Sequence, residues 1–199
     1  MPKKPSIIGF AIAIVAILIG SAAFLYNPHV PGETGTESWL EDLEGDVEFF
    51  GEDEPGIVDL TYVALEVDEA DLKLTLTVRD SVPERLGDGE FAQWLATIIL
   101  LDGVFETYEV WLEMNSSVSE GELVGYSREI GGEEAVPCLV ERDGNSLSIS
   151  ATLDGLEAAS EIQWAVLSIF ERWSGSELIA SGFDSAPDEG LQTMILEDS

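Results

Sequence analysis

From Asp71 to Asp80 the chain reads DLKLTLTVRD, and apolar residues alternate with polar ones throughout. Leu72, Leu74, Leu76 and Val78 fall on one face of an extended strand, and Lys73, Thr75, Thr77 and Arg79 on the other. A period of two does not fit a helix, so this segment predicts a strand with one buried face. SLSISATL repeats the pattern, with Leu147, Ile149, Ala151 and Leu153 inward. TYEVWLEM does so too, setting Tyr108, Val110, Leu112 and Met114 against Glu109, Trp111 and Glu113. IVDLTYVALEV, WLATIILLDG and IQWAVLSIF are apolar on both faces and predict central strands covered on both sides. Weaker strand signals lie at 47–50, 122–128, 136–141, 177–181 and 193–196. Gly, Asp, Asn and Ser clusters separate these runs, and RDGN predicts a hairpin joining 136–141 to 146–153. LDGLEAASE, with Asp154 as its cap, is the one helical turn predicted. About ten strands without intervening helices predict an all-β fold, an antiparallel two-sheet β-sandwich.

Residues 7–26 are a different kind of segment, uncharged and almost wholly apolar. A helix of that length spans roughly 30 Å, the thickness of a bilayer's hydrocarbon core. Lys3 and Lys4 precede it, which places residues 1–6 in the cytoplasm and the rest of the chain outside. This signal-anchor reading predicts a single-pass protein of the cell membrane. The alternative is a signal peptide cleaved near GSAA, which would release a secreted domain. Either way residues 27–39, rich in Pro, Gly and Thr, read as an extracytoplasmic linker, and residues 40–199 as the sandwich domain.

Past Tyr26 six basic residues face all forty acids, a balance of −34. Nucleic acid and anionic lipid headgroups are disfavoured as partners, because their phosphates would be repelled. Such a balance also suits a chain living in high salt, where screening relieves self-repulsion. Cys138 is the only cysteine, so no intrachain disulfide can form; in its apolar run it reads as a small buried hydrophobe.

Several segments follow one another in a recognisable order: DLEGDV, GIVDLTYVALEVDEADLKLTLTVRDSVP, WLATIILLDG with ETYEVWLEM, NSLSISATLDGLEAASEIQWAVLSIF, and FDSAPDEG. Over about residues 40–190 this pattern resembles the β-sandwich domain shared by DOMON-type modules and family-9-type carbohydrate-binding modules, versions of which occur on prokaryotic, notably archaeal, surface proteins. The resemblance implies ligand binding on one sheet and, in related modules, a structural calcium. Haem-binding members use His and Met ligands. Here His29 is the only histidine and lies in the linker, which argues against that chemistry.

Two groups of residues are candidates for chemistry. DLEGDVEFFGEDEPGIVD carries eight carboxylates in eighteen residues. In an extended strand Asp42, Glu44, Asp46 and Glu48 would share one face, and the like charges would either be solvated or hold a hard cation such as calcium. If the ends of the domain meet, Asp184 and Asp188 of FDSAPDEG would complete such a site, as the family pattern suggests. The second group is aromatic. Trp111 lies on a polar strand face between Glu109 and Glu113, the arrangement of a sugar platform, in which a ring stacks on C–H faces while carboxylates accept hydroxyl protons. Trp173 and Tyr126 are candidates to extend it; the plainer alternative is that Trp111 merely covers a neighbouring strand. Asn115 opens the glycosylation acceptor Asn-Ser-Ser.

No base is placed for a nucleophilic triad, and no phosphate loop, CxxC or HExxH is present. Three functions remain. The first is a non-catalytic surface module binding a carbohydrate or other small ligand. The second is an accessory subunit that docks a protein partner. The third, a hydrolase built on a carboxylate pair, has least to support it.

Overall fold

One-sided burial produces the strands that alternation predicts. Leu72, Leu74, Leu76 and Val78 are buried in one strand, and Leu147, Ile149 and Ala151 in another. The computed structural model describes residues 33–34, 36–42, 44–53, 55–101, 105–132, 134–188 and 190–196. The membrane segment 7–26 lies outside the described residues; among these no helix is long and apolar enough to cross a membrane.

In chain order the strands are β1 (Glu33–Thr34), β2 (Glu37–Glu41), β3 (Glu48–Phe50), β4 (Leu60–Asp68), β5 (Asp71–Val78), β6 (Glu90–Leu101), β7 (Phe105–Asn115), β8 (Leu123–Glu129), β9 (Val136–Pro137), β10 (Leu139–Asp143), β11 (Ser146–Thr152), β12 (Glu161–Ser174), β13 (Glu177–Ala186) and β14 (Gln192–Ile195). The smaller sheet runs β10-β11-β5-β4-β2. The larger runs β1-β14-β12-β6-β7-β8-β9, and β13 pairs with β12 beyond β14 and carries β3 on its other edge. All pairs are antiparallel except β1 with β14.

The two inner faces form one core. Val63, Leu65, Leu74, Leu76, Leu147 and Ile149 from the small sheet meet Trp94, Ile98, Val110, Leu112, Trp164 and Phe170 from the large one. Each fully buried side chain of this size stabilises the fold by about 1.5–3 kcal/mol. Three polar side chains interrupt the apolar inner face in one cross-strand row. Trp94 on β6 and Asp184 on β13 both stand opposite Ser168 on β12. All three reach the backbone just before and at the start of β4. Trp94 Nε1 donates to Ile57 O at 3.1 Å, the Ser168 hydroxyl donates to Val58 O, and Leu60 N–H donates to Asp184 Oδ2 at 2.7 Å.

The structure departs from the sequence reading in five places. Strand pairing starts inside the segment read as linker, at Glu33–Thr34 and Glu37–Glu41; the second of these is flanked by acids and buries only Ser38 fully, which hid it. The 136–141 run is two strands in different sheets, not one; Pro137 has no N–H to continue the ladder, and the chain crosses at Cys138. Cys138 is accordingly half-exposed rather than buried. Leu156–Ala158 is a 3-10 turn whose N-cap is Gly155; Asp154 instead offers its carbonyl to the Tyr108 hydroxyl at 2.7 Å. Finally, β6 and β12 are central, but their outer faces are covered only in part: Leu95 and Ile99 of β6 are buried there. Phe91, Gln93, Leu167 and Ile169 are half-exposed there, and no further layer of strands lies over them among the described residues.

Gly125 on β8 shows how close the sheets come. A Cβ there would strike Val140 and lie 2.8 Å from Ile149 Cδ1, both in the opposite sheet. Gly125→Ala should therefore destabilise the fold by overpacking, about 1–3 kcal/mol, measured as a lower urea midpoint with an unchanged slope.

Candidate functional site

Acids from both ends of the domain converge at one corner. Asp42 follows β2, Asp46 precedes β3, Asp59 precedes β4, Asp184 lies in β13 and Asp188 just beyond it. One carboxylate oxygen each from Asp42, Asp184 and Asp188 lie within 4.8 Å of one another, and the same holds for Asp46, Asp59 and Asp184. Asp184 thus belongs to both groups. The acids do not share a face of one strand, as the sequence reading supposed. A turn at Glu44–Gly45, with Gly45 at φ +89°, reverses the chain and brings Asp46 in from another direction. Glu44 stays exposed at that turn and belongs to neither group, and Glu48 lies on β3, paired with Phe183.

Sequence reasoning missed Asp59 as a member of the site. The available signal was a carboxylate inside the apolar run Ile57–Leu60, where a charge needs a partner. Asp59 is fully buried, and its Oδ2 accepts Arg79 Nη1 at 2.7 Å and Gly45 N–H at 2.9 Å. Asp184 is only 4% exposed. Its Oδ2 accepts Leu60 N–H and its Oδ1 accepts Ser185 N–H at 2.8 Å. Burial pushes the Asp184 carboxyl up to about 6; the two amides oppose this rise, and Asp46 and Asp59 add to it.

All donors at this corner are hard oxygens. Ligands at the 2.3–2.6 Å typical of calcium can be no more than about 5 Å apart around one ion, so each group fits within a single coordination sphere. Asp42, Asp184 and Asp188 offer the more open position, and Asp46 with Asp184 and Asp59 the more enclosed one.

The second site lies on the outer face of the large sheet. Trp111 on β7 stands opposite Tyr126 on β8, with ring centroids 5.4 Å apart and planes tilted by 33°. Trp111 Nε1 donates to Glu113 Oε2 at 3.3 Å, which lays the indole along its strand. Burial raises the Glu113 carboxyl above the usual glutamate range, and the indole donor opposes that rise. Arg128 stands opposite Glu109, forms an ion pair with it and places its guanidinium 5.8 Å from the Trp111 ring centroid. Glu109, Trp111, Glu113 and Tyr126 therefore form one assembly, as the sequence suggested, with Arg128 as a member it missed.

Trp173 does not join that assembly. It lies on the same outer face, its Nε1 donating to Glu171 Oε2 at 3.0 Å. However, Leu167 is the β12 residue level with Trp111, and Trp173 is six residues further along. Asn115 ends β7 half-buried, and its side-chain carbonyl accepts Ser117 N–H at 2.9 Å, so the acceptor amide also orders its own turn. A separate depression of about 540 Å³ on the small sheet is lined by Glu37, Glu66, Asp68, Asp71 and Lys73 among others, and touches neither site. No family model, curated protein or solved structure matches this chain. The fold itself defines the class: an all-β protein of two packed antiparallel sheets, with an acidic corner and an open aromatic face.

The raised Asp184 carboxyl fixes the sign of a pH effect. Its folded value, about 6, lies above the ordinary 3.8, so the protonated form favours the folded state. That contribution is complete below pH 4 and is lost as pH rises through 6. In divalent-free buffer, wild type should lose stability relative to Asp184→Asn between pH 4 and pH 7, read as diverging urea midpoints. Parallel curves would show that Asp184 does not titrate in this range.

Proposed function

We propose that this chain is a non-catalytic binding module, held outside the cell membrane by its apolar segment 7–26, whose large-sheet outer face binds a neutral carbohydrate. The observation that carries this reading is the Trp111–Tyr126 pair, flanked by Glu109 and Glu113 on an outer face over which no further layer of strands lies among the described residues. The rings supply an apolar surface for sugar C–H groups, and the carboxylates accept hydroxyl protons. The indole is pre-positioned by its bond to Glu113, so little side-chain freedom is lost on binding. The balance of −34 past Tyr26 favours a neutral ligand over an anionic one.

The same reading makes the acidic corner a structural calcium site. Calcium would neutralise carboxylates contributed by both sheets, at the point where Asp184 ties β13 to β4. The rival reading, a docking face for a protein, draws on Phe50, Ile179 and Phe183, which are exposed on β3 and β13.

Calorimetry of the full-length chain against a panel of neutral oligosaccharides tests the first claim. Saturable binding, weakened about tenfold or more by Trp111→Ala and by Tyr126→Ala, is the expected result. Absence of saturable binding across the panel, together with capture of a defined protein on the same face, would transfer the function to the rival.

Calcium has its own test. Titrating the chelated protein with Ca²⁺ should raise Tm; an ion at about 100 times its Kd contributes about 2.7 kcal/mol. For a domain of this size each kcal/mol is worth roughly 2–4 °C. Asp184→Asn should abolish the shift, and an unchanged wild-type Tm at millimolar calcium would refute the site.

A further inference from the structure

The outer face of the large sheet carries two indole–carboxylate pairs of the same construction. On β7, Trp111 donates to Glu113, two residues on. On β12, Trp173 donates to Glu171, two residues back. In both, a carboxylate on the same strand face holds the indole along its strand. Burial identifies the shared face: residues 162, 164, 166, 168 and 170 of β12 are buried inward, while 163, 165, 167, 169, 171 and 173 are half-exposed on the other side with Trp111.

The register fixes their separation. Trp111 is level with Leu95 and Leu167, and Trp173 lies six residues beyond Leu167. Six residues at about 3.3 Å, crossed with two strand intervals of about 4.8 Å, put the indoles roughly 20 Å apart. The diagonal between them passes Gln93, which stands between Glu113 and Ile169, and then the adjacent pair Phe91 and Glu171. These positions alternate apolar pads with oxygen acceptors. The Gln93 side-chain oxygen is shielded from solvent and accepts no hydrogen bond among the described residues.

We propose that Trp111 and Trp173 are the two ends of one binding track, and that the ligand is a linear neutral glycan several units long, lying diagonally across β7, β6 and β12. This rests on the carbohydrate reading given above and specifies its ligand. A pyranose unit is about as long as one strand interval, so a compact mono- or disaccharide reaches one indole only. A chain of several units reaches both while covering Gln93 and Ile169. A second copy of this chain is a poor occupant, because each brings the same excess of acid to a face already edged by Glu109, Glu113 and Glu171.

The test titrates the full-length chain with ladders of neutral glucose, mannose and xylose oligomers of increasing length. Affinity should climb with length until the oligomer spans both indoles and then level off. Trp173→Ala and, as a milder change, Glu171→Gln should cut affinity for the long oligomers about tenfold. Both should leave affinity for the disaccharide within about twofold of wild type. Trp111→Ala should weaken both lengths. Affinity independent of length, with Trp173→Ala and Glu171→Gln neutral, would overturn the track and leave a single station at Trp111. No binding of any oligomer by wild type would remove the carbohydrate reading itself, and the track with it. Circular dichroism of each variant separates loss of fold from loss of ligand.

Discussion

The polar row Trp94–Ser168–Asp184 is the constraint on which the rest of the architecture depends. It lies on the inner face of the large sheet, where most strand positions bury apolar side chains. Each member holds one backbone group of the Ile57–Leu60 segment, which leads into the small sheet. A sandwich held only by side-chain packing can slide, because burial of apolar area is non-directional. Three hydrogen bonds to consecutive stretches of one backbone fix the two sheets in a single relative position. They also satisfy backbone groups of a segment too buried to reach water, where leaving them unpaired would cost about 1–3 kcal/mol each.

That clamp explains why acids are buried at all. Asp184 must lie inward to accept from Leu60, and Asp59 is drawn in with the segment that the clamp holds. Arg79 pairs with Asp59, but four further aspartates meet at the same corner. Other basic residues are committed elsewhere: Arg85 to Glu122, Arg128 to Glu109, Arg172 to Glu90, and Arg142 to the Pro83 carbonyl. A hard cation would therefore do at this corner what side chains do at the others. Proton and cation would then compete for Asp184, since both are favoured by the burial that raises its pKa.

The long strands were legible in the sequence because their burial is one-sided. Leu72 to Val78, Leu147 to Ala151 and Tyr108 to Met114 each alternate, and each alternation is a burial pattern in the structure. The edge strands were not. Glu37–Glu41 and Glu33–Thr34 are fixed by backbone pairing, which leaves almost no trace in side-chain composition. At the acidic corner the convergence of the two chain ends was legible through Asp42, Asp46, Asp184 and Asp188, although the strand geometry assumed for them was not. Asp59 escaped because its neighbours read as core. On the aromatic face, alternation placed Trp111, Glu109 and Glu113 together. Only strand register could show that Tyr126 is the neighbour and Trp173 the distant partner.

An open apolar face and an extreme negative charge are linked problems with one physical answer. Phe50, Ile179 and Phe183 are exposed on the outer side of the large sheet, and Leu167 and Ile169 are half-exposed beside them. Contiguous apolar surface of this kind normally drives association of identical copies. Here each copy carries the same −32, and Glu48, Glu109, Glu113 and Glu171 stand on or beside the face. Bringing two such faces together would confine like charge around the contact, and that repulsion opposes self-association. The neutral glycan proposed above would meet no such penalty and would bring donors to those carboxylates. The same acidity thus bears on both proposed sites, favouring a cation at the corner and a neutral ligand on the aromatic face.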